Sequence, residues 1–103
     1  MTRGTTPTIK FRLDTDLDFD DVEVLFVTIQ QFNDDEHELS FDKNRCVLDN
    51  DEKTIELTLT QEDTLFFDGL VKIQVRMKTA DGNAFASNIE TVTIDEVLLE
   101  EEI

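Results

Sequence analysis

The chain contains neither Trp nor Tyr, and it has only one cysteine, one histidine, one proline and three glycines. Trp and Tyr are favoured in sugar-binding grooves and interface hot spots, so their absence argues against a lectin-like groove. The lone Cys46 has no partner for an internal disulfide and fits a reducing compartment. We expect it to be a small buried apolar residue, because free cysteines are among the most buried residues.

The same scarcities argue against catalysis. His37 is the only histidine, so a multi-histidine metal site is excluded. Cys46, His37 and a carboxylate have the composition of a nucleophilic triad. The pattern predicts Cys46 at an inward strand position and His37 in an exposed turn, which argues against such a triad. The chain has no G-x-S-x-G, P-loop or H-E-x-x-H motif, and three glycines leave little for a phosphate cradle. We therefore expect no catalytic, cofactor-binding or metal-binding residues, no cofactor and no enzymatic activity.

Two acidic turns superficially resemble calcium loops. The first contains Asp14, Asp16, Asp18 and Asp20. An EF-hand started at Asp14 would place Phe19 where glycine is needed and Leu25 where glutamate is needed, and a start at Asp16 also fails. The second turn, residues 49–52, places Lys53 at the fifth position. Plain solvated turns are the expected structure, and weak calcium binding between loops stays open as the alternative.

Acidic residues dominate the charge. Asp and Glu number 25 against nine Lys and Arg, which gives a net charge of −16. This balance disfavours nucleic acid and anionic membranes as partners, because phosphates are bound by clustered cations. No apolar run approaches 18 residues, and MTRGTTPT lacks the apolar core of a signal peptide. We expect a cytoplasmic protein when synthesised, or a virion component if it leaves within a particle.

The hydrophobic pattern predicts an all-β fold in one domain spanning residues 1–103, with a flexible arm at 1–7 and an acidic tail at 99–103. Residues 22–32 are apolar on both faces and predict a central strand. Thr60 and Asp63 predict a capped helical turn, and the final apolar run is expected to bend near Asn88. Asp-Gly within residues 80–83 predicts a hairpin.

About seven short antiparallel strands are typical of an immunoglobulin-like β-sandwich, although the hallmark cysteine pair and Trp are absent. Predicted inward residues include Leu39, Phe41, Cys46, Leu48, Ile55, Leu57 and Leu59.

One predicted strand carries three of the nine basic residues on a single face: Lys72, Arg76 and Lys78. Two interpretations are open. The outer face neutralises its own charge, together with Lys10 and Arg12, through Glu56 and Glu90 on neighbouring strands. Alternatively, the three cations form an interaction face that docks on the acidic surface of another subunit.

Several segments carry a family resemblance: RGTTPTIKFRL, VTIQQ, LTQEDTLFF and VKIQVRMKTADGNAFAS followed by an apolar end strand. The chain resembles small β-sandwich proteins encoded in phages and prophages of Firmicutes. The order of these segments along the chain is similar to that in the N-terminal domain of phage baseplate upper proteins. The resemblance implies an immunoglobulin-like sandwich in a tail, baseplate or neck-type assembly, and it supplies no catalytic residues. No receptor-binding or coiled-coil region follows, which implies a stand-alone subunit or accessory protein.

The leading hypothesis is therefore a non-enzymatic structural or accessory protein of a phage or prophage particle. Its expected partners are other protein subunits, including a second copy of itself, with no nucleic acid and no membrane. Two alternatives come from other classes: an acidic nucleic-acid mimic that inhibits a host protein, and a carbohydrate-binding module. An unbroken negative stripe would favour the mimic, whereas acids scattered over loops would disfavour it.

Overall fold

A computed structural model describes all 103 residues. It is all-β, as predicted, with two antiparallel sheets of three and five strands. The three-stranded sheet has the order β1-β5-β4, and the five-stranded sheet has the order β3-β2-β6-β7, with β8 also paired to β6. The strands are β1 (Thr8–Arg12), β2 (Val22–Gln31), β3 (Glu38–Asp42), β4 (Cys46–Asp49), β5 (Thr54–Thr58), β6 (Gly69–Thr79), β7 (Ala84–Ala86) and β8 (Glu90–Ile94). One short helix, α1 (Gln61–Leu65), and two 3-10 turns complete the chain.

Strands β2 and β6 form the centre of the larger sheet, which confirms the central strand predicted over residues 22–32. Their inward residues pair in register, with Leu25 opposite Met77 and Val27 opposite Val75. Ile29 continues this row, and all of these side chains are buried. A strand with neighbours on both sides satisfies its backbone groups within the sheet, so apolar and β-branched residues fit there best.

The predicted bend near Asn88 is present as a break in the edge strand. Strand β7 ends at Ala86 and β8 begins at Glu90, so the final apolar run supplies two strands and the total is eight rather than seven. Across the break, the Val75 N–H donates to Ser87 Oγ over 2.9 Å, and Gln74 Nε2 donates to the Ser87 carbonyl over 3.0 Å. Side-chain groups thus satisfy the backbone where the regular ladder is interrupted.

A single cluster of 16 buried apolar side chains fills the space between the sheets. The predicted inward residues Phe41, Ile55, Leu57 and Leu59 belong to it. Leu39, Cys46 and Leu48 are half-buried and pack against its margin. Each fully buried side chain of this size contributes about 1.5–3 kcal/mol to the free energy of unfolding. This burial is the main favourable contribution to the free energy of folding. The chain has no disulfide that would add to it.

The predicted capping of the helical turn is confirmed at α1. Asp63 N–H donates to Thr60 Oγ1 over 3.1 Å, and Thr60 N–H donates to Asp63 Oδ2 over 2.9 Å. Arg45 Nη2 also donates to that carboxylate over 2.9 Å. Burial of the Asp63 carboxyl acts to raise its pKa, but the hydrogen bonds from Thr60 and Arg45 outweigh this effect and lower the pKa. The carboxylate is thus held ionised at the start of the helix.

Residues 1–7, for which the sequence predicted a flexible arm, are docked against α1 and the end of β8. Thr2 forms a parallel bridge with Asp95, and Arg3 Nε donates to the Phe67 carbonyl over 2.7 Å. The Gly4 N–H donates to Thr64 Oγ1 over 2.9 Å, and that hydroxyl donates to the Thr5 carbonyl over 2.9 Å. The buried Thr64 hydroxyl needs polar partners, and this segment provides them.

Replacing Thr64 with Val tests the docking of residues 1–7. Thr64 is 0% exposed, and valine keeps its shape but leaves the Gly4 N–H and the Thr5 carbonyl without a partner. We expect the free energy of unfolding to fall by about 1–3 kcal/mol. Urea denaturation followed by circular dichroism measures this change.

The matched control is Thr58→Val, because the Thr58 hydroxyl bonds only the exposed Thr8 hydroxyl. Its expected effect is below about 0.5 kcal/mol. Equal losses in both variants would show that the buried hydroxyl does not hold the N-terminal segment.

Candidate interaction surface

The hairpin between β6 and β7 is present where Asp-Gly predicted it, at residues 80–83. The Thr79 N–H donates to the Asn83 carbonyl over 2.8 Å. Gly82 has a φ of +94°, a left-handed conformation that glycine adopts without a steric penalty. The hairpin places Ala84 opposite Lys78 and Ala86 opposite Arg76. Small side chains are thereby brought alongside the basic face of β6.

On its other side, β6 pairs with β2 and completes a mixed apolar and basic surface. Phe26 lies opposite Arg76, and Val24 lies opposite Lys78. Opposite residues in an antiparallel pair project to the same face. We call the resulting surface the outer patch: Val24, Phe26, Arg76, Lys78, Ala84 and Ala86. It lines a shallow groove of about 650 Å³ on the outer face of the five-stranded sheet.

The outer patch is accessible in both its apolar and its basic parts. Val24 is 42% exposed and Phe26 is 45% exposed. Arg76 and Lys78 are exposed and take part in none of the six ion pairs of the molecule. The patch therefore offers two uncompensated cations beside apolar surface, the composition that a docking surface for an acidic partner requires.

Lys72, the third predicted residue of the interaction face, lies apart from the other two. It is opposite Gln30, nearer the start of β6, and its Nζ lies 3.7 Å from Asp35 Oδ1. The same ammonium group lies 6.0 Å from the centre of the Phe32 ring. The structure thus groups Arg76 with Lys78 and gives Lys72 its own partners.

Of the cross-strand pairings with Glu56 and Glu90 that self-neutralisation predicted, one is present. Lys10 lies opposite Glu56 in the three-stranded sheet, with 3.9 Å between Nζ and Oε1. Glu90 is exposed, but it lies opposite the inward residue Ile73 and lines a cleft at the sheet edge. Neither glutamate forms an ion pair with Arg76 or Lys78.

The acidic residues gather in the loops at the ends of the strands. Hydrogen bonds join three loops at one end: the Phe19 N–H donates to Asn50 Oδ1, Lys53 Nζ donates to the Leu17 carbonyl, and the Ala80 N–H donates to the Asp21 carbonyl. This end carries Asp14, Asp16, Asp18, Asp20, Asp21, Asp49, Asp51, Glu52 and Asp81. No three His, Cys, Asp or Glu side chains are arranged to hold a metal ion. These acids lie at the end of the sheet rather than on the outer patch itself, whereas Asp42 on β3 lies opposite Phe26 and borders the patch.

Cys46 and His37 are not brought together by a contact. The His37 ring stacks on Phe66 at 4.0 Å, and its Nε2 contacts the Phe66 carbonyl. Cys46 Sγ donates to the Asp42 carbonyl over 3.5 Å. Burial raises the pKa of the Cys46 thiol, and the Asp42 carboxylate raises it further against the lowering effect of Arg45. A raised pKa disfavours the thiolate that a nucleophile needs.

Sequence reasoning missed the apolar half of the outer patch. Residues 22–32 are apolar on both faces and were predicted only as a central strand, but Val24 and Phe26 project from an exposed face. The signal was available in the period of two, since Leu25, Val27 and Ile29 alternate with Val24 and Phe26. Ala84 and Ala86 alternate similarly after the hairpin.

No family model, no curated protein and no solved structure matches this chain significantly. None of its helices has the length and apolar character needed to cross a bilayer.

The reaction rate of the Cys46 thiol tests whether this side chain is half-buried. We expect its thiol to react with a disulfide reagent at pH 8 about three- to tenfold more slowly than in the unfolded chain, because burial and the raised pKa reduce the exposed thiolate. The rate should increase as the pH rises above 9, since the thiolate fraction then grows.

The same protein in guanidinium chloride supplies the unfolded reference rate. A native rate equal to that reference at pH 8 would contradict the half-buried position of Cys46.

Proposed function

We propose that this chain is a non-enzymatic structural or accessory protein of a phage or prophage particle, of the tail, baseplate or neck type. It acts through protein–protein contacts made by the outer patch. The observation that carries the contact role is the exposed apolar surface beside unpaired Arg76 and Lys78 on a chain with a net charge of −16. The particle assignment is supported by the sequence resemblance to phage and prophage proteins.

We further propose that the two sheets form an immunoglobulin-like sandwich. In that fold, one sheet contains the order B-E-D and the other contains G-F-C, extended by C′ in variable-type domains. The orders β1-β5-β4 and β3-β2-β6 with β7 and β8 follow this arrangement if β1 corresponds to strand B. A strand equivalent to A is missing beside β1, and the parallel bridge of Thr2 to Asp95 lies beside the end of the G-equivalent strand.

The partner of the outer patch is a protein surface with an apolar centre and acidic margins. Phe26 and Val24 supply apolar area for the centre of an interface, where aromatic side chains contribute most to affinity. Arg76 and Lys78 attract carboxylates and reject basic partners, so they contribute mainly to specificity and association rate. The end loops repel other acidic surfaces and so restrict close approach to the sheet face.

The distribution of acids disfavours the nucleic-acid mimic. A mimic needs carboxylates spaced along one continuous surface like the phosphates of a duplex. Here the acids crowd the end loops, and the sheet face between them carries exposed cations at Arg76 and Lys78. The absence of Trp and Tyr likewise disfavours the carbohydrate-binding alternative.

The test of the proposal is incorporation into particles. Phage particles are purified by density gradient after the protein is supplied in wild-type form or with Arg76→Glu and Lys78→Glu together. We expect the wild-type protein to copurify with the particles and the double variant to be reduced about tenfold, which corresponds to ~1.4 kcal/mol of binding free energy. Quantitative mass spectrometry of the particles measures this ratio.

The matched control carries Lys10→Glu and Arg12→Glu, which make the same charge change on the other sheet. It should be incorporated like the wild type. Absence of the wild-type protein from the particles would refute the particle assignment, and equal incorporation of both double variants would refute the role of the outer patch.

A further inference from the structure

We propose that the outer patch of one molecule binds the C-terminal segment, residues 95–103, of a second copy of the same chain. This inference rests on the proposed function, because it names the partner of the same surface. The chemistry of the segment is complementary to the patch. Its sequence, DEVLLEEEI, interleaves apolar residues with five carboxylates.

The apolar residues of the C-terminal segment are uncovered. Leu98 is 100% exposed, Leu99 is 57% exposed and Ile103 is 93% exposed. Glu100, Glu101 and Glu102 lie between them and would approach Arg76 and Lys78 when Leu98 and Leu99 contact Phe26. The acidic end loops differ in this respect, because Phe19 is buried and Leu17 packs against the core. Of the acidic segments, the C-terminal one combines exposed leucines with charge in the way that the patch requires.

Chain length keeps Leu98 and Leu99 from the patch of their own molecule. Ile94 lies opposite Gly69 at the start of β6, whereas Arg76 is seven residues further along that strand. At about 3.4 Å per residue, this separation is about 24 Å. Leu99 follows Ile94 by five residues and reaches at most about 18 Å from it when fully extended. Leu98 and Leu99 therefore lie too far from their own patch and are free for a neighbour's.

The structure also shows what holds the segment when it is unbound. Arg3 Nη1 donates to Glu100 Oε1 over 2.6 Å, and the Ile103 N–H donates to Gln61 Oε1 over 2.7 Å. Glu100 is 59% exposed in this ion pair, and the largely buried Arg3 keeps its bonds to the Phe67 and Leu65 carbonyls when Glu100 leaves. Release of the segment for binding therefore has a low free-energy cost.

An interface between two different surfaces of one chain is heterologous, so a bound pair still offers one free patch and one free segment. Repetition of this contact gives a ring if the rotation closes and a chain of molecules if it does not. The contact area is small, so assembly should depend on concentration or on a scaffold that raises the local concentration.

The test uses two full-length variants and light scattering on a sizing column. The patch variant carries Arg76→Glu and Lys78→Glu, and the segment variant carries Leu98→Ser and Leu99→Ser. We expect the wild-type mass to rise above 11.9 kDa with concentration, and each variant alone to remain monomeric. An equimolar mixture should form a dimer of twice that mass and nothing larger, because only one complementary pair of surfaces remains intact.

The control with Lys10→Glu and Arg12→Glu should assemble like the wild type, and circular dichroism should show that all variants are folded. A wild-type protein that stays monomeric up to about 1 mM, or variants that assemble alone, would overturn the inference. A monomeric wild type together with loss of the patch variant from particles would overturn this inference and leave the proposed function standing. Assembly as expected, with no protein in particles, would support the inference and overturn the particle role.

Discussion

The antiparallel pairing of β2 with β6 is the interaction on which the rest of the structure depends. These are the two longest strands, and their register extends from Val22 opposite Thr79 to Gln31 opposite Val71. One face of the pair supplies the centre of the core through Leu25, Val27 and their partners. The other face presents Phe26 and Arg76 to solvent. A shift of the register by one residue would exchange these faces, so core and patch are specified together.

Charge is distributed so that one molecule carries two kinds of surface. Carboxylates crowd the loops, where they are solvated and where several bond neighbouring backbone N–H groups, as Asp18 does with the Asp20 N–H. On the central sheet face, Arg76 and Lys78 form no ion pair, whereas Lys72 pairs with Asp35. Because exposed charges more than about 10 Å apart are largely screened at physiological salt, the charge that a partner meets at the patch depends mainly on Arg76, Lys78 and the adjacent Asp42.

The sequence predicted most of the fold because its local signals agree with one another. The period of two, Asp-Gly in the hairpin and the Thr60–Asp63 capping box each specify backbone geometry over a few residues, and each is present in the structure. The outer patch could not be predicted in full, because exposure of Phe26 depends on which strands flank β2 and how large their residues are. The pairing of Glu56 with Lys10 rather than with β6 depends on the assignment of strands to two sheets. The docking of residues 1–7 depends on a hydroxyl buried some 60 residues away in the chain.

The break at residues 87–89 has a consequence for how the sheets end. The outermost strand of the larger sheet is divided into segments of three and five residues, with Ile89 60% exposed between them. Neither segment offers a long, flat row of free N–H and carbonyl groups, which is what a foreign strand needs to extend a sheet. Irreversible growth by strand addition is thereby disfavoured at this edge. Contacts made at this edge are thus confined to side chains.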